Sequence, residues 1–233
     1  MILDGRSDDA IAAAVRALKA GELVGLPTET VYGLAGDAGN DQAVARIFET
    51  KGRPADHPLI VHVADAASVD HFAADVPDFA RRLIDAFWPG PLTLILPRRA
   101  GVGAAAAGGQ DSIGLRCPSH PVAQALLRAC AAQGVHGLAA PSANPFGRVS
   151  PTTAAHVQAG LGEALLVLDG GACDVGIEST IVDCTRSAPV LLRPGGVSRA
   201  QVEAASGQRL RARDELATPA PRASGTLLAH YAP

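Results

Sequence analysis

The sequence predicts a mixed α/β (α+β) fold in which helices flank an open, twisted, mixed β-sheet. Short apolar runs of strand length alternate with segments of helical periodicity, and layered α/β folds arise from such alternation. The alternation keeps no strict strand–helix–strand rhythm, so we expect a mixed sheet rather than a parallel one. Of the 233 residues, 48% are hydrophobic and only 3% are aromatic, which predicts a large aliphatic core.

The N-terminal half is expected to begin with a helix and a buried strand. Ser7 or Asp8 can cap a helix over residues 9–20, and Gly21 can end it. The apolar run at residues 23–26 predicts a strand that Pro27 ends. The same signals predict an apolar segment at 31–35, a helix at 40–51, a strand at 59–63, helices at 66–74 and 77–87, and a strand at 92–96.

The C-terminal half continues the alternation and then changes composition. Residues 100–109 are nearly all glycine and alanine, so we expect a mobile loop there. Pro121 suits the first turn of a helix, and Ser198 can cap a last short helix. The other predicted elements are strands at 112–116, 136–139, 165–168, 180–183 and 190–193, and helices at 121–132 and 154–159. From about residue 206 the chain is too polar and proline-rich to build a core, which is typical of a linker or flap.

Composition argues against several functional classes. The net charge is −3 and the pI is about 6.1, which disfavours a dedicated nucleic-acid binder with a basic face. The four cysteines form no C-x-x-C pair and no zinc-like spacing with histidine. The acidic N-terminus lacks the apolar region of a signal peptide, and no stretch has the apolar length of a membrane span. We therefore expect a soluble, cytoplasmic protein without a resident metal.

Lys51 is unusual in this chain, because among 20 basic residues only Lys19 and Lys51 are lysines. A lysine followed two residues later by Arg53 would offer a point charge beside a planar fork, which suits a polyphosphate. The alternative is a solvated helix C-terminus, where cations are favoured by the helix dipole. The spacing alone leaves both readings open.

The polar residues that follow predicted strands form the candidate site. The chain has no P-loop, no G-x-G-x-x-G after a strand, no G-x-S-x-G and no H-E-x-x-H. Four cations at strand ends would make a pocket anion-selective, and nearby hydroxyls could donate to phosphate or carboxylate oxygens. A histidine within an apolar strand, such as His62, is more often a core residue. The cations are Lys51, Arg53, Arg116 and Arg193, and the hydroxyls are Ser142, Ser150, Ser179 and Thr180.

Several separated motifs give a specific resemblance. The chain contains PTETVYGL (27–34), KGRPADHPLIVHV (51–63), IGLRCPSHP (113–121), APSANPFGRVSPT (140–152), DGG (169–171), GIESTIVD (176–183) and LLRPG (191–195). In order and spacing these resemble the threonylcarbamoyl-AMP synthase family, which has the YrdC-type fold. The resemblance covers about residues 9–204. The family's Lys-x-Arg and Ser-x-Asn signatures fall on Lys51, Arg53, Ser142 and Asn144.

The resemblance implies that L-threonine, bicarbonate and ATP are converted to threonylcarbamoyl-AMP and pyrophosphate, for threonylcarbamoyl modification of tRNA. It implies Mg²⁺ arriving with ATP, a downstream tRNA-modifying transferase as a partner, and tRNA binding that is weak or indirect. No enzyme nucleophile is required, so positioning and charge stabilisation are the main tasks. The implied residues are Lys51, Arg53, Ser142 and Asn144 for catalysis; these four with His57, Ser112, Ser150, Arg193 and Tyr231 for ATP; and Thr30, His62, Arg116, Ala140 and Thr180 for threonine.

The C-terminal stretch resembles the linker of the longer family members. Residues 224–233 read SGTLLAHYAP, whereas the linker pattern is S-x-G-x(4)-H-Y-x-P; the departure is that Gly225 directly follows Ser224. The longer members carry a further domain after this linker, and we expect it to be missing here, either naturally or because the chain is shortened. We expect residues 1–205 to form the catalytic domain and residues 206–233 to fold over the nucleotide site, with His230 or Tyr231 reaching ATP. The alternative is a linker stub.

Three rival functions stay open at this point. The first is a carbamoyl-handling paralogue like the corresponding domain of hydrogenase maturation proteins, although their acylphosphatase-like and cysteine-rich modules have no counterpart in this sequence. The second is a YrdC-like RNA-binding module without catalysis, which the acidic pI disfavours. The third is an inactive paralogue, against which the complete signature residues argue.

Overall fold

The computed structural model describes residues 1–225, and a ten-stranded mixed sheet forms its centre. The strand order is β1-β8-β2-β3-β7-β4-β6-β5-β9-β10. Parallel pairs such as β4–β6 and β5–β9 stand beside antiparallel pairs such as β2–β3 and β5–β6, which confirms the predicted fold class. The strands are β1 (Ile2–Asp4), β2 (Val24–Leu26), β3 (Gly33–Asp37), β4 (Ile60–His62), β5 (Leu92–Pro97), β6 (Ser112–Arg116), β7 (Leu138–Ala139), β8 (Leu166–Asp169), β9 (Thr180–Asp183) and β10 (Val190–Arg193).

Helices pack on the sheet, and local capping fixes several of their ends. The Asn40 side chain accepts hydrogen bonds from the backbone N–H groups of Gln42 and Ala43, at 3.0 and 3.3 Å, and so begins α2. Gly52 ends that helix in the left-handed conformation, with φ of 63°. The helices are α1 (Asp8–Lys19), α2 (Asp41–Lys51), α3 (Val69–Phe72), α4 (Asp78–Phe87), α5 (Pro121–Ala131), α6 (Ala154–Leu161) and α7 (Arg199–Ser206), followed by a 3-10 turn (Arg213–Glu215).

Alternation along the strands divides the core between the two faces of the sheet. Val61, Leu94 and Val182 belong to the main apolar cluster, together with residues of α2, α4 and α7. Their strand neighbours Ile60 and Ile95 belong to a smaller cluster on the opposite face. A third cluster joins α1 and α5 to the β2 side of the sheet. The smaller cluster is covered by the chain after α7 rather than by a helix.

The prediction that the segment after residue 206 cannot contribute to a core is wrong for its described part. Leu210 is fully buried, and Arg211 extends the sheet by hydrogen bonds to Pro189 and Leu191. Further along, Leu216, Ala220 and Ala223 pack on the smaller apolar cluster. A few well-spaced apolar residues suffice here, because the sheet supplies the other side of the contact.

Two more expectations differ from the structure. Strand β1 was not predicted, because three residues carry too little periodicity; its backbone pairs in parallel with β8. The glycine- and alanine-rich segment at 100–109 is packed against its surroundings rather than projecting as a loop. Ala106 and Ala107 are fully buried, and the Ala106 carbonyl accepts a hydrogen bond from Leu59 N at 2.7 Å. Within residues 1–225 no helix is long and apolar enough to cross a membrane.

Candidate active site

The strand ends of β4 and β6 bring the first group of polar side chains together. The two strands are parallel, and His62 is the register partner of Arg116. Strand β7 pairs with β4 on its other edge and leads into Ala140, while the loop after β2 carries Thr30. A narrow cavity at this edge of the sheet is lined by these four residues, and also by Ser142, Ser179, Glu178 and Arg193.

Thr180 does not line this cavity, which differs from the expectation. Its hydroxyl donates to the Val197 carbonyl at 2.8 Å and accepts from Val197 N at 3.0 Å. The side chain is fully buried and ties β9 to the turn before α7. In the described structure its hydroxyl therefore makes a structural contact and does not face the cavity.

Arg116 is fixed by a buried ion pair that sequence reasoning missed. Its Nη2 lies 2.7 Å from Oε1 of Glu29, and both side chains are under 10% exposed. Nη1 of the same guanidinium donates to the Thr30 hydroxyl at 2.8 Å. The second oxygen of Glu29 accepts from Ser119 N at 3.1 Å. The signal was the acid between two threonines at a strand end, but nothing local indicated that its partner lies in β6.

His62 is a neutral imidazole in this environment. Burial and, after it, the nearby Arg116 charge lower its pKa to about 3. Its Nδ1 has no hydrogen-bond partner among residues 1–225. A buried ring nitrogen without a partner is costly. His62 thus lines the cavity with a buried nitrogen whose partner a ligand can supply.

Lys51 joins the two signature motifs. Its Nζ donates to the carbonyls of Ser142 and Asn144, both at 2.5 Å, and the side chain is 4% exposed. Burial and the Arg53 charge lower its pKa to about 7, while Glu178 acts in the opposite direction. Lys51 lines neither this cavity nor the cleft beside it. It holds the 142–144 turn in place and keeps one N–H for another acceptor.

Arg53 is the second buried cation. It donates from Nη2 to the Pro58 carbonyl at 3.0 Å and to the Ser224 hydroxyl at 3.4 Å. The guanidinium lies 5.9 Å from the centre of the Phe146 ring, which the partly exposed His57 approaches to 5.7 Å. Burial lowers the pKa of Arg53 to about 10, and it stays charged at neutral pH. The pKa of His57 is also lowered, by burial and then by Arg53.

Arg193 occupies the junction between the narrow cavity and an open cleft of about 550 Å³. Its Nη1 forms an ion pair with Oε2 of Glu178 and donates to the Ser224 carbonyl at 3.1 Å. Ser150 donates from its hydroxyl to the other Glu178 oxygen at 3.0 Å. The cleft also carries exposed apolar side chains, Val149 and Ile177. Apolar side chains beside an arginine suit a ligand with a ring and an anionic group, although Arg193 is paired with Glu178 in this structure.

The remaining predicted site residues lie near the cavity and the cleft, or outside the residues that the structure describes. Asn144 donates from its side-chain amide to the carbonyls of Pro145 and Arg148, at 2.9 and 2.7 Å. Ser112 lines a separate, smaller cavity under residues 222–224. Tyr231 and His230 lie outside the described residues. Within residues 1–225 no group of three or more His, Cys, Asp or Glu side chains could hold a metal ion.

Comparison with known proteins agrees with this architecture. The Sua5/YciO/YrdC family model, described as "Telomere recombination", matches residues 16–195. The threonylcarbamoyl-AMP synthase of Bacillus subtilis is 44% identical over 203 residues, which are 86% of this chain and 58% of that protein. The synthase of Pyrococcus abyssi is 44% identical over 192 residues, which are 82% of this chain and 55% of that protein. The chain thus spans under three fifths of these relatives.

Solved structures extend the likeness through the described tail. The crystal structure of P. abyssi Sua5 complexed with L-threonine matches with a TM-score of 0.90 and 40% identity, covering 100% of this chain and 69% of that chain. The structure of E. coli YciO matches with a TM-score of 0.70 and 24% identity, which shows a shared fold only. The family model and the identity of the relatives together show that this chain belongs to the Sua5/YciO/YrdC family.

Proposed function

We propose that the protein synthesises threonylcarbamoyl-AMP and pyrophosphate from L-threonine, bicarbonate and ATP. The relatives of this chain carry that activity in their names, and one structural neighbour holds L-threonine. The observation that carries the proposal is the junction at Arg193, where a narrow cavity with a fixed arginine and a neutral histidine adjoins an open cleft beside buried cations. Such an arrangement can hold a small amino acid against a nucleoside triphosphate.

Threonine would occupy the narrow cavity. The Arg116 guanidinium would hold the α-carboxylate, and Glu29 would keep that guanidinium in one orientation. The pairing with Glu29 and Thr30 already uses both ends of the Arg116 fork, so the carboxylate would share these N–H groups rather than find a free fork. His62, being neutral, would accept a hydrogen bond from the amine or the hydroxyl of the amino acid. Ala140 would limit the size of the ligand side chain.

ATP would lie in the open cleft with its phosphates toward Lys51, Arg53 and Arg193 and the hydroxyls of Ser142 and Ser150. We expect Mg²⁺ to enter as the Mg–ATP complex. Within residues 1–225 the cleft is lined by one carboxylate, Glu178, which fits this expectation because Mg²⁺ is usually held by one or two carboxylates plus phosphates. When bound, Mg²⁺ would neutralise phosphate charge. Asn144 and His57 would shape the ends of this site.

The chemistry needs no nucleophile from the protein. The amine of threonine and bicarbonate or CO2 form a carbamate, and a carbamate oxygen then attacks the α-phosphate while pyrophosphate leaves. The buried cations would stabilise the charge of the departing pyrophosphate, because their interaction with it is strong where water is excluded. The protein would therefore act by positioning and electrostatics.

We assign residues 1–205 to the catalytic domain and residues 206–233 to a covering segment, and the contacts of Ser224 with Arg53 and Arg193 support this division. Gly225 lines the open cleft, so the chain reaches the proposed nucleotide site at that point. The product would serve tRNA modification in the cytoplasm through a downstream transferase.

The decisive experiment is incubation of the protein with ATP, threonine and labelled bicarbonate, with detection of a labile labelled acyl-adenylate. We expect label in the product and release of pyrophosphate. We also expect serine to replace threonine far better than valine, because a site that binds a hydroxyl rejects a ligand without one. If ATP and threonine bind but no labelled adenylate forms, the protein is not a synthase; salt-sensitive tRNA binding without ATP turnover would instead indicate an RNA-binding module.

A further inference from the structure

Glu178 is the one acidic side chain that lines either the narrow cavity or the open cleft within residues 1–225. It belongs to the loop before β9 and is 13% exposed at its side chain. Its two carboxylate oxygens contact Arg193 and Ser150, one each. These are two of the groups that the proposed function assigns to ATP phosphates. A carboxylate therefore occupies part of the proposed phosphate site.

The contacts of Arg193 show that a phosphate has to compete with Glu178 for this guanidinium. Its Nε and Nη2 donate to the Ser179 carbonyl at 3.0 and 2.9 Å, and Nη2 also donates to the Ser179 hydroxyl at 3.1 Å. Its Nη1 contacts Glu178 and the Ser224 carbonyl. Every N–H of the guanidinium is thus directed at an acceptor. Among the residues that the structure describes, Glu178 and residue 224 occupy Nη1, so a phosphate that binds there has to replace Glu178 or move residue 224.

The charges around Glu178 predict which ligand can replace its carboxylate at Arg193. Lys51, Arg53 and Arg193 are cationic, and Glu178 acts electrostatically on the first two and pairs with the third. The displaced carboxylate would remain beside the polyphosphate. Like charges that lie close together repel strongly where little water screens them. Free ATP carries about two more negative charges than its magnesium complex, because Mg²⁺ is divalent, so the repulsion falls most heavily on free ATP.

We infer that Glu178 is a specificity-determining residue that makes the nucleotide site select magnesium-complexed ATP over free ATP. In the nucleotide-free protein its carboxylate holds Ser150 and Arg193. In the complex it leaves these groups to the phosphates and excludes polyanions whose charge is not reduced by a divalent cation. The inference rests on the proposed function, because it takes the cleft to be an ATP site.

The test measures ATP binding by calorimetry to the full chain without threonine or bicarbonate, in excess EDTA and in excess MgCl₂. The pH is set to about 6, below the Lys51 pKa of about 7, so that Lys51 is mostly charged in the unmodified protein and in the control. The variant is Glu178→Gln, and the control is Glu22→Gln, which removes the same charge at an exposed position. We expect Glu178→Gln to bind free ATP about tenfold more tightly than the unmodified protein, and Mg–ATP no more tightly than the unmodified protein does.

The ratio of the two dissociation constants separates this role from a structural one. Loss of a purely structural contact would weaken binding of both forms alike and leave the ratio unchanged, which would overturn the inference. The control is expected to keep both constants, and thermal melting verifies that each variant is folded. If the unmodified protein binds ATP in neither buffer, the proposed function itself fails. If it binds Mg–ATP and the Glu178→Gln ratio does not change, only the role of Glu178 is disproved.

Discussion

The buried ion pair of Glu29 and Arg116 allows a worked prediction of stability. The two side chains are 7% and 5% exposed, and their charged atoms are 2.7 Å apart. Replacement of Glu29 by alanine leaves the Arg116 cation buried without its counter-ion and removes the acceptor for Ser119 N. Loss of one partner of a buried pair costs about 3–5 kcal/mol. We expect the Glu29→Ala variant to lose that much free energy of unfolding.

The chain offers a matched control in the ion pair of Asp56 and Arg222. That pair is also close, at 2.9 Å, but its side chains are 62% and 51% exposed. Since exposed pairs are screened by water, Asp56→Ala should cost less than about 1 kcal/mol. Urea unfolding followed by circular dichroism at neutral pH measures both. Equal losses in the two variants would refute the reasoning, and so would a Glu29→Ala/Arg116→Met double variant that recovers no stability relative to Glu29→Ala.

Four further predictions concern the site and the segment that covers the sheet. Lys51→Ala should cost about 2–4 kcal/mol of transition-state stabilisation, measured as a loss of kcat/KM. Near-normal turnover would contradict the assignment of Lys51 as a catalytic residue. Because burial lowers the Lys51 pKa to about 7, ATP affinity of the unmodified protein should fall as the pH rises above 7, and this dependence should vanish in the variant. His62 has a folded pKa of about 3, below its ordinary value of 6.5. Its contribution to stability is therefore present above pH 6.5 and lost as the pH falls, by about 2 kcal/mol at pH 5, a loss that His62→Gln should lack. Truncation after Ser206 should weaken ATP binding and lower the free energy of unfolding, because it uncovers the apolar face formed by Ile60 and its neighbours; unchanged binding and stability would make the segment a stub.

Local signals in the sequence predicted most of the elements within a few residues. Helix α2 is a clear case, since the sequence predicts a helix at 40–51 and the structure has it at Asp41–Lys51 with Asn40 as its cap. Strand β6 lies at residues 112–116 as predicted, because an apolar run flanked by polar residues is sufficient to define it. Capping and periodicity act between residues that are close along the chain. Capping and periodicity can therefore be recognised from the sequence alone.

The family signatures also predicted which side chains would meet. Thr30, His62, Arg116 and Ala140 line one cavity, and Lys51 contacts the 142–144 turn, as the resemblance implied that they would share a site. The sequence did not predict that Lys51 would bond to carbonyls and line neither the cavity nor the cleft. Hydrogen-bond partners depend on side-chain direction, which is set by packing rather than by spacing.

Only the tertiary structure determined which charges pair and which segment covers the smaller apolar cluster on the sheet. Glu178 meets Arg193 because β9 and β10 are neighbours in the sheet. Glu29 follows β2 and meets Arg116 at the end of β6, although three strands separate β2 from β6 in the sheet. The segment after α7 contributes to the core because the exposed face of β4, β5 and β9 offers it an apolar surface. These contacts join residues far apart in sequence, and their energies depend on burial and distance in the folded chain. Residue type and spacing determined the elements and the site composition, whereas the three-dimensional arrangement determined which charges are paired and which remain for a ligand.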